Sequence, residues 1–215
     1  MADLVAKLTN AIKYYDQKKV LDGINIELTE GEILGLIGPS GSGKTTTIKC
    51  LMGMESLDEG QAQIFNKQIP NRKVLNEIGY MGQSDALYES LTARENLVFF
   101  GNLMGLKGKK LEEAIAGNTK IVNLEHELGK VVSHFSGGMK RRLSLAITLL
   151  ANPSLIILDE PTVGLDPIQI IEIRELIQQL GQEHTVILSS HILSEVQTIC
   201  EKVLIIAKGK LVAFD

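Results

Sequence analysis

Apolar and polar residues alternate along Leu21-Asp22-Gly23-Ile24-Asn25-Ile26-Glu27-Leu28, the period-two pattern of a half-buried strand. Residues 1–30 therefore read as antiparallel strands, closed by a turn at Thr29-Glu30-Gly31-Glu32. Ile33 to Ile37 is a short continuous apolar run and predicts a buried strand. Glycines begin where it ends, and Lys44 to Met52 then predicts a helix. Glu59 to Phe65 with Asn66-Lys67 predicts a further hairpin, and Ile78 to Met81 a short strand just before Gln83.

From Ser90 to Leu150 the pattern turns helical. Thr92 and Glu95 form a capping box ahead of Asn96-Leu97-Val98. Lys107 to Lys110 reads as a charged turn, and residues 111–124 as a weaker helix interrupted at Gly117-Asn118. Beyond Gly137, the residues Met139, Leu143, Ala146, Ile147 and Leu150 share one helical face. After Asn152-Pro153 strands and helices alternate: strand Leu155–Leu158, helix Ile168–Leu180, strand Val186–Leu188, helix Ile192–Cys200, strand Val203–Ala207. Repeated strand–helix units predict an α/β fold with a mostly parallel sheet, into which the helical stretch 86–152 is inserted as a lobe.

Composition narrows the functional classes. A hydrophobic fraction of 44% over 215 residues supports one sizeable domain. A net charge of -4 and only 4% aromatic residues give neither a basic field nor stacking platforms, so no nucleic-acid partner is expected. Cys50 and Cys200 sit in no metal-ligand spacing and suit a reducing, cytosolic setting. There is no signal-peptide pattern at the start, and no run approaches the ~18 apolar residues of a membrane span.

The chemistry starts at Gly38-Pro39-Ser40-Gly41-Ser42-Gly43-Lys44-Thr45, a full GxxxxGK[ST] phosphate loop in the strand–loop–helix setting it requires. Its glycines let backbone N–H groups curve around an anion, and the helix behind points its positive end there. Lys44 can reach the β- and γ-phosphates, and the Thr45 hydroxyl can ligate Mg²⁺. Asp159 ends an apolar strand, where a lone carboxylate is costly to desolvate unless it serves a metal. Glu160 follows it as the candidate general base, since adjacent strand side chains diverge. A salt-bridged pair, or a helix cap before Pro161, is the plainer reading of these two acids.

Ser136-Gly137-Gly138 opens an amphipathic helix, either as a simple N-cap or as a second anion site facing another subunit. His191, after a strand end, is either structural or a γ-phosphate sensor. The Gln83 amide is either a turn residue or a ligand of Mg²⁺ or the attacking water. Tyr15, or alternatively Tyr14, either stacks on adenine or packs on the sheet. Arg141 and Arg142 read as solvated helix residues or partner contacts, and His126, His134 and His184 as surface or packing residues.

Taken together, these motifs resemble the nucleotide-binding subunits of ABC transporters. Gly38–Thr45 matches Walker A, Leu155–Glu160 matches Walker B with its catalytic acid, and Phe135-Ser136-Gly137-Gly138-Met139 matches the signature loop. Gln83 matches the Q-loop, Gly164-Leu165-Asp166 the D-loop, His191 the H-loop and Tyr15 the A-loop, all in family order. Phe135 and Met139 replace the usual Leu and Gln, a variation similar to the bacterial ABC-2 exporter branch. The resemblance implies a P-loop NTPase with a RecA-like core and antiparallel β-subdomain (1–85 and 153–215) and a helical subdomain (86–152). It implies ATP and Mg²⁺ as ligands, with Thr46 joining the phosphate loop and Thr45, Gln83 and Asp159 around the metal. It implies a head-to-tail pair of ATPase subunits in which Ser136 and Gly138 face the partner's γ-phosphate and Asp166 crosses the interface. Polytopic permease subunits would hold the pair on the cytoplasmic face of the membrane, with Asp85 to Tyr88 as contacts. An importer ATPase, or a soluble ABC protein acting on nucleic acid or ribosomes, is the alternative.

Overall fold

The computed structural model describes residues 3–214. Strands β1 (Leu4–Tyr15) and β2 (Lys18–Thr29) form a long antiparallel hairpin. The predicted alternation in β2 carries a bulge: Leu21, Ile24, Ile26 and Leu28 are all buried, although Leu21 and Ile24 are of opposite parity. Register shifts around Ala11 and a left-handed Gly23 at φ 76° rotate the strand by one residue there. β3 (Ile33–Ile37) is buried throughout and runs through the phosphate loop into α1 (Lys44–Met52). β4 (Glu59–Ile64), β5 (Lys67–Gln68), the one-turn α2 (Arg72–Leu75) and β6 (Ile78–Met81) follow.

Three helices come next: α3 (Ala93–Leu103), α4 (Gly108–Ile121) and α5 (Gly137–Leu149). The capping box of α3 is present, with Thr92 N–H donating to Glu95 at 2.7 Å and Glu95 N–H donating back at 3.2 Å. α4 begins within the predicted charged turn and runs without a break through Gly117-Asn118. Its buried face, Leu111, Ile115 and Thr119, carries it past an exposed glycine that costs only about 1 kcal/mol. The last third comprises β7 (Leu155–Asp159), α6 (Pro167–Leu180), β8 (Thr185–Ser190), α7 (Leu193–Val196), β9 (Lys202–Ala207) and β10 (Lys210–Phe214). The helix predicted over Ile192–Cys200 is only one regular turn. Ile199 and Cys200 both donate to Val196 O, tightening the chain toward β9.

The strands form two sheets. The first is antiparallel, in the order β2-β1-β4-β5. The second has the order β10-β9-β3-β8-β7-β6, parallel from β9 to β6 with β10 antiparallel at its edge. The pleat of this second sheet divides the interior in two. Ile33, Ile37, Ile156, Leu158, Val186 and Leu188 face a core shared with α3 to α6. Leu34, Leu36, Leu155, Ile157, Ile187 and Leu204 face a core shared with α1 and the antiparallel sheet. Among the described residues no helix is long and apolar enough to cross a membrane.

Gly35 in the middle of β3 lets α7 approach closely. A Cβ there would lie 2.0 Å from Val196 Cγ1 and 3.0 Å from Cys200 Sγ. Gly35→Ala is expected to cost about 1–3 kcal/mol through overpacking. The added Val196→Ala should recover part of that loss, as urea unfolding midpoints of the single and double variants will show.

Candidate active site

The parallel strands β3, β7 and β8 deliver their C-terminal ends to one edge of the sheet, where open α/β folds place ligands. At the end of β3 the chain passes through a buried Gly38, where a Cβ would lie 2.1 Å from Ile206 O and 2.5 Å from Ser42 Oγ. Gly41 and Gly43 take left-handed backbone at φ 76° and 114°, which only glycine adopts without strain. The N-cap of α1 is Gly43, with no side chain to cover the first-turn N–H groups. Ser42 Oγ is buried without a hydrogen-bond partner among the described residues. The β9–β10 turn props the loop from behind, Gly209 N–H donating to Ser42 O at 3.0 Å. A cavity of about 250 Å³ opens in front, lined by Val20, Ser40 to Thr46, Gln83 and Glu160. A larger hollow of about 680 Å³ lies at the opposite ends of the strands, around Glu77, Ser154 and His184, and holds none of these residues.

At the end of β7 sit two buried carboxylates. Asp159 is fully buried and accepts from Thr45 Oγ1 at 2.8 Å and from Ser189 Oγ at 2.5 Å. Glu160 lies just past the strand in left-handed backbone at φ 54°, not in the extended arrangement the sequence suggested. Its N–H donates to Ser189 O and Oγ at 3.2 and 3.0 Å. One carboxylate oxygen lies 3.1 Å from Lys44 Nζ and the other 2.7 Å from His191 Nδ1. Lys44 also donates to Gly38 O at 2.6 Å. Both Lys44 and Glu160 are almost wholly buried, whereas the imidazole of His191 is half exposed. Burial, with the Asp159 charge as a second cause, pushes the nearby Tyr80 hydroxyl above its ordinary range and keeps it protonated.

The structure thus brings Gly38 to Thr46, Gln83, Asp159, Glu160 and His191 to one edge, and leaves other candidates outside the cavity. Ser136 caps α5, accepting from Met139 N–H at 3.2 Å, and is exposed together with Gly137. Gly138 is buried against Gln169, whose amide end lies 2.7 Å from where a Cβ would stand. Asp166 caps α6 through Ile168 and Gln169 N–H groups, both at 3.0 Å. Tyr14 and Tyr15 are exposed rather than packed into a core, with Lys13 Nζ 5.6 Å from the Tyr15 ring centre. The hairpin that carries them brings Val20 to the cavity wall.

Three supporting residues escaped the sequence reading. Arg141, expected in solvent or against a partner, is 3% exposed and bonded to the loops around the site. Ser189 braces both acids. Glu195 accepts from Thr162 and Ser190 hydroxyls at 2.8 and 2.9 Å, tying the loop after β7 to the loop of His191. Arg141, Ser144 and Thr148 follow one another at helical spacing, a polar stripe visible in the sequence, but the charge of Arg141 placed that residue in solvent or against a partner.

A strand–glycine loop–helix with a buried Lys and an acidic strand end defines a P-loop nucleoside triphosphatase. The ABC transporter family model matches residues 21–163, well over half the chain. The chain is 44% identical over 211 residues to the bacitracin transport ATP-binding protein BcrA of Bacillus licheniformis, covering 96% of this chain and 68% of that protein. It is 38% identical over 216 residues to the Nod factor export ATP-binding protein I of Sinorhizobium fredii, covering 97% and 62%. The chain therefore spans about two thirds of these relatives' length. A solved dimer of the ATP-binding cassette MJ0796, in a post-hydrolysis state bound to ADP and Pi, superposes with a TM-score of 0.86 at 26% identity, covering 98% of this chain and 97% of that one. The chain belongs to the ABC transporter family as one of its ATP-binding, ATP-hydrolysing subunits.

Ser189→Ala removes the donor to Asp159 and one acceptor of Glu160 N–H. The buried acceptor left behind is expected to cost about 1–3 kcal/mol in urea unfolding. Steady-state phosphate release should fall with it, because Asp159 keeps only Thr45 as a donor and Glu160 N–H keeps only the carbonyl of residue 189.

Proposed function

We propose that this chain couples Mg²⁺-dependent ATP hydrolysis to export through a polytopic membrane permease, working as a pair of subunits closed around ATP. The observation that carries this reading is the linked chain Lys44–Glu160–His191, buried at its first two members, at the P-loop cavity, with Ser136 and Gly137 exposed elsewhere on the surface. Ser42 Oγ and the open α1 N-terminus fit a triphosphate. Thr45 and Asp159, with Gln83 nearby, are oxygen donors suited to Mg²⁺, the rest of whose shell falls to phosphate and water. When bound, the metal neutralises charge on the phosphates.

Lys44 exchanges Gly38 O and Glu160 for the β- and γ-phosphates. Glu160 is then free to take a proton from a water whose oxygen bonds to the γ-phosphorus while the bond to ADP breaks. His191 holds the carboxylate from its outer side. Tyr15 stacks on adenine from the hairpin tip. Ser136 and Gly138 of one copy meet the γ-phosphate held by Lys44 of the other, and Asp166 crosses the same interface. ATP is the adhesive because the amides before α5 lie outside the chain's own cavity.

A second cleft of about 250 Å³ between β6, α3 and α5 suits a permease segment. Ala86 and Leu87 line it, and Tyr88 packs edge-on against Phe99 at 4.8 Å with Leu103 and Met104 exposed beside them. Asp85, also named from sequence, is instead engaged by Arg141 and Ser144. Residues 1–85 and 153–215 act as the nucleotide-binding core and 86–152 as the lobe that reads the permease, on the cytoplasmic face of the membrane. The transport and export named for the relatives in Bacillus licheniformis and Sinorhizobium fredii support the outward direction.

Glu160→Gln is expected to bind ATP and accumulate as a dimer by size-exclusion chromatography with Mg-ATP, with single-turnover phosphate release slowed to a small residual rate. Normal turnover would remove the role given to Glu160. Ser136→Arg should bind ATP as a monomer and fail to dimerise in the Glu160→Gln background. A pull-down from solubilised membranes with tagged Glu160→Gln protein should recover a polytopic membrane protein; a soluble dimer carrying nucleic acid or ribosomes instead would overturn the transport reading.

A further inference from the structure

Arg141 belongs to α5, five residues after Ser136, yet its side chain points away from solvent and is 3% exposed. Its five N–H groups are spread over two segments, residues 160–161 and residues 82–85. Nε donates to Pro161 O at 2.7 Å and Nη2 to Glu160 O at 2.5 Å. Nη1 faces Gln83 O at 3.2 Å, Gly82 O at 3.4 Å and Asp85 Oδ1 at 3.1 Å. Asp85 is fixed in turn by Ser144 Oγ at 2.8 Å, one helical turn further along α5. A planar guanidinium serves carbonyls on two separate edges at once, whereas a lysine ammonium gathers its three N–H groups on a single nitrogen and does not span the same two segments.

The Glu160 carbonyl is the telling contact. Glu160 holds left-handed backbone, which L side chains rarely adopt, and that conformation aims its carboxylate at Lys44 and His191. The residue is pinned at both ends: its N–H to Ser189, its carbonyl to Arg141. Releasing the carbonyl lets the backbone relax toward commoner angles and swings the carboxylate off its line. The phosphate loop, which binds nucleotide, receives no bond from Arg141.

We infer that Arg141 is a positioning residue for hydrolysis, which holds Glu160 in its left-handed conformation and fastens it to the Gly82–Asp85 segment. This rests on the reading of Glu160 as general base. It makes one side chain the mechanical link between the helical lobe, the rim of the β6–α3–α5 cleft and the acid that takes the proton.

The experiment compares Arg141→Lys, Glu160→Gln and their double variant with the wild-type chain. Steady-state and single-turnover phosphate release give kcat and KM, trinitrophenyl-ATP fluorescence gives nucleotide affinity, and thermal melting reports folding. Arg141→Lys is expected to lower kcat about ten- to a hundredfold, the scale of a catalytic group moved by about an ångström, with KM and analogue affinity nearly unchanged. In the Glu160→Gln background the same substitution should cost nothing more, because Arg141 acts only through that carboxylate. Should Arg141→Lys fail to fold, Arg141→Gln combined with Asp85→Asn leaves no unpaired charge and carries the same expectations. A folded variant with wild-type kcat, or a loss of equal size in the Glu160→Gln background, overturns the inference. Wild-type turnover by Glu160→Gln would instead overturn the role of Glu160, whatever Arg141 does.

Discussion

Two adjacent carboxylates are buried at the end of β7, and much of the surrounding structure answers that constraint. Desolvating a carboxylate is expensive unless hydrogen bonds and opposite charge compensate it. The compensations come from parts of the chain that are distant in sequence. Lys44 and Thr45 arrive from the start of α1, and Ser189 and His191 from the end of β8 and the loop after it, while Arg141 from α5 holds the Glu160 backbone carbonyl. The cleft for the nucleotide and the brace for the acids are therefore one construction. In the proposed mechanism a triphosphate entering it competes for Lys44, which couples binding to the release of Glu160.

The sheet makes this convergence possible. Parallel strands point their C-terminal ends the same way, and β3, β7 and β8 are neighbours in the sheet though far apart in sequence. Because the pleat sends alternate residues to two separate cores, the sheet is clamped between α1 with the antiparallel strands and the helices α3 to α6. Small residues set the spacing at critical points. A Cβ on Gly35 would strike α7, one on Gly79 would come 2.7 Å from Thr148 O of α5, and one on Gly38 would strike β9. The site is rigid at its base because the strands beneath it cannot shift independently.

The same chain leaves part of its chemistry facing outward. Ser136 and Asp166 spend their side chains capping helices, yet Ser136 stands exposed at a helix start that bears no acidic residue in its first turn. Gly138 and Gln169 bring those two helix starts together. That surface makes sense as half of a shared site, which is why a second copy belongs to the proposed mechanism. The aromatic cluster of Tyr88, Phe99 and Phe100 beside the β6–α3–α5 cleft gives the other outward face its character.

Contiguous patterns determined most of what the sequence disclosed: the P-loop glycines, the apolar strand ending in Asp159-Glu160, the capping box at Thr92, and the strand–helix alternation of the last third. Each encodes its own local geometry through backbone freedom, pleat period or a hydrogen bond three residues long, so each is legible without neighbours. What only tertiary structure decided were the outcomes that depend on distant partners. The bulge that puts both Leu21 and Ile24 inward is set by pairing with β1, and the unbroken α4 by packing against α3 and α5. The short α7 is set by the return path to β9. Arg141 is the sharpest case: alone, a guanidinium belongs in water, and the Asp85 carboxylate with the carbonyls of 160, 161 and 83 gathered around it makes burial favourable. Sequence order carries no record of that gathering, because the segments lie twenty and nearly sixty residues away and meet only when the sheet is assembled.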